Sequence, residues 1–282
     1  MSKELQRFYE AEIVKMNSHP ELKAFERKMW DGKINNSISK NYKISLCTTC
    51  MGRLSDLSVC LLKNIEDNAD YDNLEFVILD YNSKDGLGNW VKENLMGHIE
   101  SGRVVYARTE EPEFYSMTRS RNLAFKVASG DIVNNLDADN FTNRGFASYL
   151  NMLANQQTDR AIFAKGKKML RGRLGFWKKE FMEDLCGYEE DINDYGHDDW
   201  DLMLRAWKIG FRLMFFGGTY YANTGSKKHQ TGNMKVDNWK FTESRNKYMS
   251  MKSIIEGATK ANVGREWGKG NLIKNFNEEV IL

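Results

Sequence analysis

Proline is nearly missing from this chain, with two residues in 282. No proline-, glycine- or serine-rich run marks a linker, which argues against a string of small modules. No window approaches the roughly 18 uninterrupted apolar residues of a membrane span. The first residues, MSKELQRFYEAEIVKMN, are charged throughout and lack the apolar core of a signal peptide, so a cytoplasmic protein is expected. A dominant charge is missing too: 41 basic residues against 39 acidic leave a net charge of +2. That balance does not announce a nucleic-acid binder, although local basic patches remain open. Cysteines number four. Cys47 and Cys50 form a C-x-x-C, but Cys60 and Cys186 stand alone, and no second pair completes a four-thiolate zinc site. The pair reads as small residues at a strand end. Neither GxGxxG nor GxxxxGK[ST] follows the first apolar run, so the common dinucleotide and P-loop fingerprints are absent.

What is present is material for a core: hydrophobic residues make up 41% and aromatics 12%, the composition of a globular chain. Residues 1–40 read as helical and polar. From Tyr42 the pattern sharpens into short β-rich runs at 42–48, 74–80, 103–107 and 131–137. LEFVILD, nearly continuous in apolar residues, predicts a strand buried on both faces. Leu54, Leu57, Leu61, Leu62 and Ile65 have the spacing of an amphipathic helix. The segment from Ser116 to Ala128 predicts another, with Gly130 placed to stop it. Further on, 161–166 and 212–218 can be strands, and 198–210 reads as a helix that starts with acids and closes with a glycine. This alternation predicts an α/β fold with a mainly parallel central sheet. In such sheets ligands sit beyond the carboxyl ends of the strands. The residues at those ends are Thr48, Thr49, Asp80, Asp137 and Asp139.

Three groups of side chains stand out as chemistry. In LDADN, extended backbone would turn Asp137 and Asp139 to one side, and two hard oxygen ligands suit Mg²⁺ or Mn²⁺. An ion held there can neutralise a diphosphate leaving group. The alternative is a solvated loop. In NDYGHDDWDLMLR, Asp198, Asp199 and Asp201 crowd a helix start, and their repulsion favours a raised pKa in one of them, which suits a general base; ordinary helix-terminal acids are the plain alternative. His229, one of four histidines, lies among glycine, lysine and polar residues, either as a surface residue or as a third metal ligand.

Together these stretches resemble the GT-A glycosyltransferases, near the large family 2 of inverting enzymes and closer in the second half to the β-1,4-galactosyltransferase type. The resemblance covers roughly residues 42–245. FVILDYNSKDG is similar to the family's strand ending in D-D-x-S-x-D. SRNLAFKVASGDIVNNLDADN is similar to its A-R-N, helix, strand and D-x-D block, and YGHDDWDLMLRAWKIGFRL to its W-G-G-E-D-x-D helix. The resemblance implies a GT-A (Rossmann-like) sheet flanked by helices; the two ends lie outside it and are expected, from length and composition, to be helical additions. It also implies a nucleotide-diphosphate sugar donor, most simply UDP-linked, and Mn²⁺ or Mg²⁺ as cofactor. Thr48, Thr49, Arg53 and Asp80 would line the nucleoside pocket, with Asp80 accepting from a uracil N–H, and Arg121 would support the donor. Asp137 would face ribose or metal, and Asp139 and His229 would coordinate the metal. Asp199 would be the base, Asp198 would bind an acceptor hydroxyl, and Tyr195 would stack on the acceptor sugar. Transfer with inversion follows if Asp199 is that base.

Tyr81, Ser120, His197 and Asp198 depart from the family's pattern, and Asn134 and Asn135 add polarity before the D-x-D. These changes point to an unusual acceptor. A saccharide or glycan is the plain choice. A modified base in a nucleic acid is the alternative, gripped by lysine runs such as GSKKHQ and KGKKMLRGRLGFWKK. A binding module of the same fold without turnover is a third reading. The expected organisation is an N-terminal extension over 1–41, a catalytic domain over 42–245 and a C-terminal extension over 246–282. The catalytic domain divides into a donor half, 42–140, and an acceptor half, 141–245.

Overall fold

The computed structural model describes residues 3–23, 33, 37–165, 173–217, 219–224, 232–235 and 238–282. The chain opens with helices α1 (Lys3–Met16) and α2 (Pro20–Lys23), then enters β1 (Ile44–Cys50) and α3 (Leu54–Asp67). β2 (Leu74–Tyr81) leads through the short helices α4 (Leu87–Asn94) and α5 (Met96–Glu100) to β3 (Val104–Thr109). Next come α6 (Met117–Val127), β4 (Ile132–Asn135), β5 (Asn140–Phe141) and α7 (Phe146–Gln156). The second half holds β6 (Ala161–Lys165), β7 (Gly175–Trp177), α8 (Lys178–Glu183), α9 (Asp198–Lys208), β8 (Arg212–Phe216) and β9 (Ala222–Asn223). It ends with α10 (Trp239–Ile255), β10 (Asn271–Lys274) and β11 (Glu278–Ile281).

Among the described residues nine strands make one sheet, in the order β11-β10-β3-β2-β1-β4-β7-β6-β8. The β3, β2, β1 and β4 neighbours run parallel, as do β6 and β8, while β7 and β10 run against their neighbours. Alternate residues of one strand enter opposite cores. Ile44, Leu46, Phe76 and Ile78 pack under α3 and α7, and Cys47, Val77 and Leu79 pack under α6 and α9. A strand covered on both faces has to be apolar throughout, which is why 74–80 reads as it does. Each large side chain buried there contributes about 1.5–3 kcal/mol.

Glu75 interrupts that run without being a fault. It is buried, and its carboxylate accepts from Ser45 Oγ, Ser129 N and Ser129 Oγ, each at 2.6 Å. Burial alone would raise its carboxyl, but the Ser129 and Ser45 hydrogen bonds and Lys43 hold it below the usual range. Gly130 does more than end a helix. A Cβ there would lie 2.5 Å from Ser45 Oγ and 2.8 Å from Ser45 N, so only glycine lets the chain approach β1 this closely.

The amino end is helical, as expected, while the carboxyl end adds two strands to its helix. α1 docks on α10 through rings, with Tyr9 5.1 Å from Tyr248 and 5.8 Å from Phe241. α10 runs across position 245, so the boundary expected there falls inside one helix. Beyond it the chain forms a hairpin, β10–β11, that extends the central sheet on the β3 side, with Lys274 paired to Ala107 and Ile273 to Arg108. No described helix is long and apolar enough to cross a membrane.

Candidate active site

The carboxyl ends of β1 and β4 and the amino end of α9 surround a cavity of about 390 Å³. Its floor on one side is Thr49, whose hydroxyl shares a 2.5 Å hydrogen bond with the Tyr115 hydroxyl. Arg53 follows from the turn after β1. Its Nε donates to Asp56 at 2.7 Å and its Nη2 to Asp139 at 3.3 Å.

Asp137 and Asp139 both line the cavity, although not in the expected way. β4 stops at Asn135, and Asp137 to Asn140 form a turn closed by a 3.0 Å bond from Asn140 N to the Asp137 carbonyl. A turn, not extended backbone, brings the two carboxylates to one site. Two asparagines hold them there, one of them the Asn135 that adds polarity to the strand before the pair. Asn135 Nδ2 donates to Asp137 at 2.9 Å, and Asn140 Nδ2 donates to Asp139 at 2.8 Å. Burial pushes the Asp137 carboxyl up and the Asp139 charge adds to this, against the pull of Arg121, Arg173 and the Asn135 hydrogen bond. Arg173 Nε lies 3.7 Å from Asp137 and donates to Asn140 Oδ1 at 2.5 Å. Two carboxylates on one cavity wall are a donor set that a hard divalent cation fits. His229, the expected third ligand, lies outside the described residues, as do most of the two lysine runs around 166–172 and 225–230.

Facing this pair is the start of α9. The turn into it takes left-handed backbone at Asp194 (φ 61°), Gly196 (φ 92°) and His197 (φ 69°). Asn246 of α10, fully buried, clamps that turn by donating to the carbonyls of Asn193 (2.9 Å), Tyr195 (3.3 Å) and Gly196 (2.9 Å). The turn presents Tyr195, His197, Asp198 and Asp199 to the cavity. Arg121, 5% exposed, reaches across from α6. Its Nη1 bonds Asp198 and donates to Asp199 Oδ1 at 3.0 Å. Burial would lower the guanidinium, but Asp199 and Asp198 hold it well above its ordinary value. The ring of Tyr188 lies 5.4 Å below it. Asp201, the third acid of the cluster, turns away and pairs with buried Arg205 at 2.8 Å.

The cavity therefore brings together Thr49, Arg53, Arg121, Asp137, Asp139, Tyr195, Asp198 and Asp199. Thr48 and Asp80 are not among its walls. Thr48 is buried in β1. Asp80 is fully buried and occupied: it accepts from Ser83 N at 2.7 Å, Tyr106 Oη at 2.6 Å and Arg108 Nη1 at 2.6 Å. Sequence reasoning missed Arg173, Tyr115, Trp200, Met234 and Glu243, which also line the cavity. Arg173 sits within the basic run KGKKMLRGRLGFWKK, which stands out only as a grip for a nucleic acid. Glu243 offered no signal beyond its place one turn after Trp239.

One cavity thus holds a pair of acids and, on another wall, a carboxylate bound by arginine. No curated protein sequence matches the chain significantly. Among solved structures, the chain resembles a mannosyltransferase from Pyrobaculum calidifontis in complex with GDP-Man and Mn²⁺. The identity is 21% over 79% of this chain and 70% of that one, with a TM-score of 0.58. It also resembles S. aureus TarS 1-349 bound to UDP-GlcNAc, at 13% identity over 69% of this chain and 62% of that one, TM-score 0.55. The same protein bound to UDP gives 12% identity, 64% and 59% coverage, and a TM-score of 0.53. At such identities the likeness is one of fold, and the chain spans less than two thirds of TarS 1-349. The model of glycosyl transferase family 2 matches residues 45–201, more than half of the chain. This chain is a GT-A glycosyltransferase and belongs to glycosyl transferase family 2.

Proposed function

We propose that the chain moves a glycosyl group from a nucleoside-diphosphate sugar, with UDP the first nucleotide to test, to an acceptor hydroxyl with inversion. The observation that carries this reading is that Asp137, Asp139 and Asp199 line a single cavity. The ligands of the fold's neighbours, GDP-Man with Mn²⁺ in one and UDP or UDP-GlcNAc in the other, support a donor of this class.

Residues 42–140 hold the donor and 141–245 the acceptor in this reading. Thr49 and Arg53 bound the nucleoside side, with Thr48 and Asp80 packed behind the pocket. Asp137 and Asp139 hold Mn²⁺ or Mg²⁺, with His229 as the further ligand implied by resemblance. When bound, the ion supplies positive charge against the departing diphosphate. Asp199 takes the proton of the acceptor hydroxyl as its oxygen bonds to the anomeric carbon, and the bond from that carbon to the diphosphate breaks in the same step. One displacement inverts the centre. Arg121 fixes the Asp199 carboxylate in place, and Asp198 and Tyr195 orient a saccharide acceptor. The reaction is proposed for the cytoplasm.

The test is calorimetric titration of UDP and of GDP, with and without Mn²⁺, on wild type, Asp139→Ala and Asp199→Asn. Binding of one nucleotide should need both Mn²⁺ and Asp139. Asp199→Asn should keep that affinity and lose roughly 10²–10⁴-fold in kcat, the usual worth of a general base. Absence of nucleotide binding under every condition would refute the reading. Normal turnover by Asp199→Asn would remove Asp199 from the mechanism.

A further inference from the structure

We infer that Trp239 and Glu243, four residues apart on α10, form a second acceptor subsite for a neutral saccharide, taking the sugar ring next to the one that is glycosylated. The inference rests on the reading of Asp199 as the base that faces the acceptor.

Positions i and i+4 of a helix share a face, so Trp239 and Glu243 project together. Glu243 lines the cavity beside Tyr195 and Gly196. It lies so close over Gly196 that a Cβ on that glycine would meet Glu243 Cβ at 3.2 Å. Trp239 stands just outside. Its ring centroid is 6.2 Å from that of Tyr195 with the planes at 82°, and the residue is 47% exposed. The platform is held rigidly. Asn238 caps α10 by accepting from Lys240 N at 3.1 Å and Phe241 N at 3.2 Å, and Phe241 is anchored against Tyr9 of α1.

A half-exposed indole at the mouth of a cavity is costly to leave wet and suits a ligand with one apolar face. A hexose ring offers that face through its C–H bonds, and its edge hydroxyls can donate to the Glu243 carboxylate. The cavity itself is near the small end of the roughly 300–1,000 Å³ range of ligand pockets. Once it holds a donor and the reacting ring, further rings of an acceptor must lie on its rim. The group beside the indole favours a neutral ring. Glu243 borders the platform on the cavity side, and a carboxylate there accepts from sugar hydroxyls and disfavours a phosphate in the same place. Lys240 Nζ, 5.7 Å from the Trp239 ring centroid, supplies a donor to the same ligand.

The experiment is binding of neutral mono-, di- and trisaccharides, and of a single-stranded oligonucleotide, to the protein loaded with UDP or GDP and Mn²⁺. Saturation-transfer NMR reads the binding, and the absence of a transferable sugar prevents turnover. Wild type should favour the best disaccharide over its monosaccharide by roughly three- to tenfold, the size of one aromatic contact. Trp239→Ala and Glu243→Gln should erase that preference, and Trp239→Phe should restore most of it, which separates lost stacking from lost folding. A disaccharide preference unchanged in Trp239→Ala, no saccharide binding to nucleotide-loaded protein, or tighter binding of the oligonucleotide would each overturn the subsite while leaving the donor reading intact. Failure of both nucleotides to bind would refute the donor reading and the subsite together.

Discussion

Arg121 uses one nitrogen, Nη1, to hold two carboxylates that adjoin in sequence: it bonds Asp198 and donates to Asp199 at 3.0 Å. Without it, two acids at a helix start would repel each other in a site largely shut off from water. Arg121→Ala should therefore cost both stability and rate. Breaking a buried pair costs about 3–5 kcal/mol, and a chain of this size loses roughly 2–4 °C in Tm per kcal/mol. Thermal unfolding should show that fall. Arg121→Lys should recover part of the Tm but little of kcat, because an ammonium on a shorter, flexible stem does not hold a donor where Nη1 sits between the two acids. Equal kcat in Arg121→Lys and wild type would show that neutralising charge is enough.

His197 sits in left-handed backbone with Nε2 buried and without a partner among the described residues. Burial pushes its imidazole down to about 4, helped by Lys247 and opposed by Asp201 and Asp198. In the unfolded chain the ring titrates near about 6.5. As pH falls from that value toward about 4, the unfolded chain takes up the proton first, so stability present at neutral pH is lost across this window. The Tm advantage of wild type over His197→Gly should shrink as pH is lowered from about 7 to about 4.5. His197→Ala should be less stable than His197→Gly by about 1 kcal/mol, since only glycine takes this backbone freely.

Asn246 gives one side-chain nitrogen to three carbonyls of the turn before α9. Asn246→Ala leaves those carbonyls without that donor and should cost about 1–3 kcal/mol. Since the turn carries Tyr195 and leads into Asp199, acceptor KM should rise and kcat fall while donor affinity holds. An equal loss of donor affinity would mean that the whole cavity had loosened.

Much of this was legible beforehand, and the exceptions have physical causes. Strands such as Leu74–Tyr81 announce themselves because a doubly covered strand must be apolar. The acids at their carboxyl ends were legible for the same topological reason. Asp80 shows the limit. Its place at a strand end suggested a ligand contact, but β2–β3 register sets it opposite Arg108, which consumes the charge. Register is a relation between distant segments, and no single stretch encodes it. Asn135 reads as stray polarity in the sequence because the turn it supports, through Asp137, is not visible there. The hairpin at the end stayed hidden because its strands are short and half polar, as edge strands are.

That hairpin also sets the order in which the protein can be completed. β10 pairs with β3, some 160 positions earlier in the chain, with Lys274 against Ala107. Contacts of such separation form late, because loop closure must precede them. During synthesis β3 therefore waits with one side of its backbone unsatisfied until residues 271–281 have been made. A ribosome-stalled or clipped chain that stops short of them would already hold every carboxylate that lines the cavity and still offer an open, adhesive strand to its neighbours.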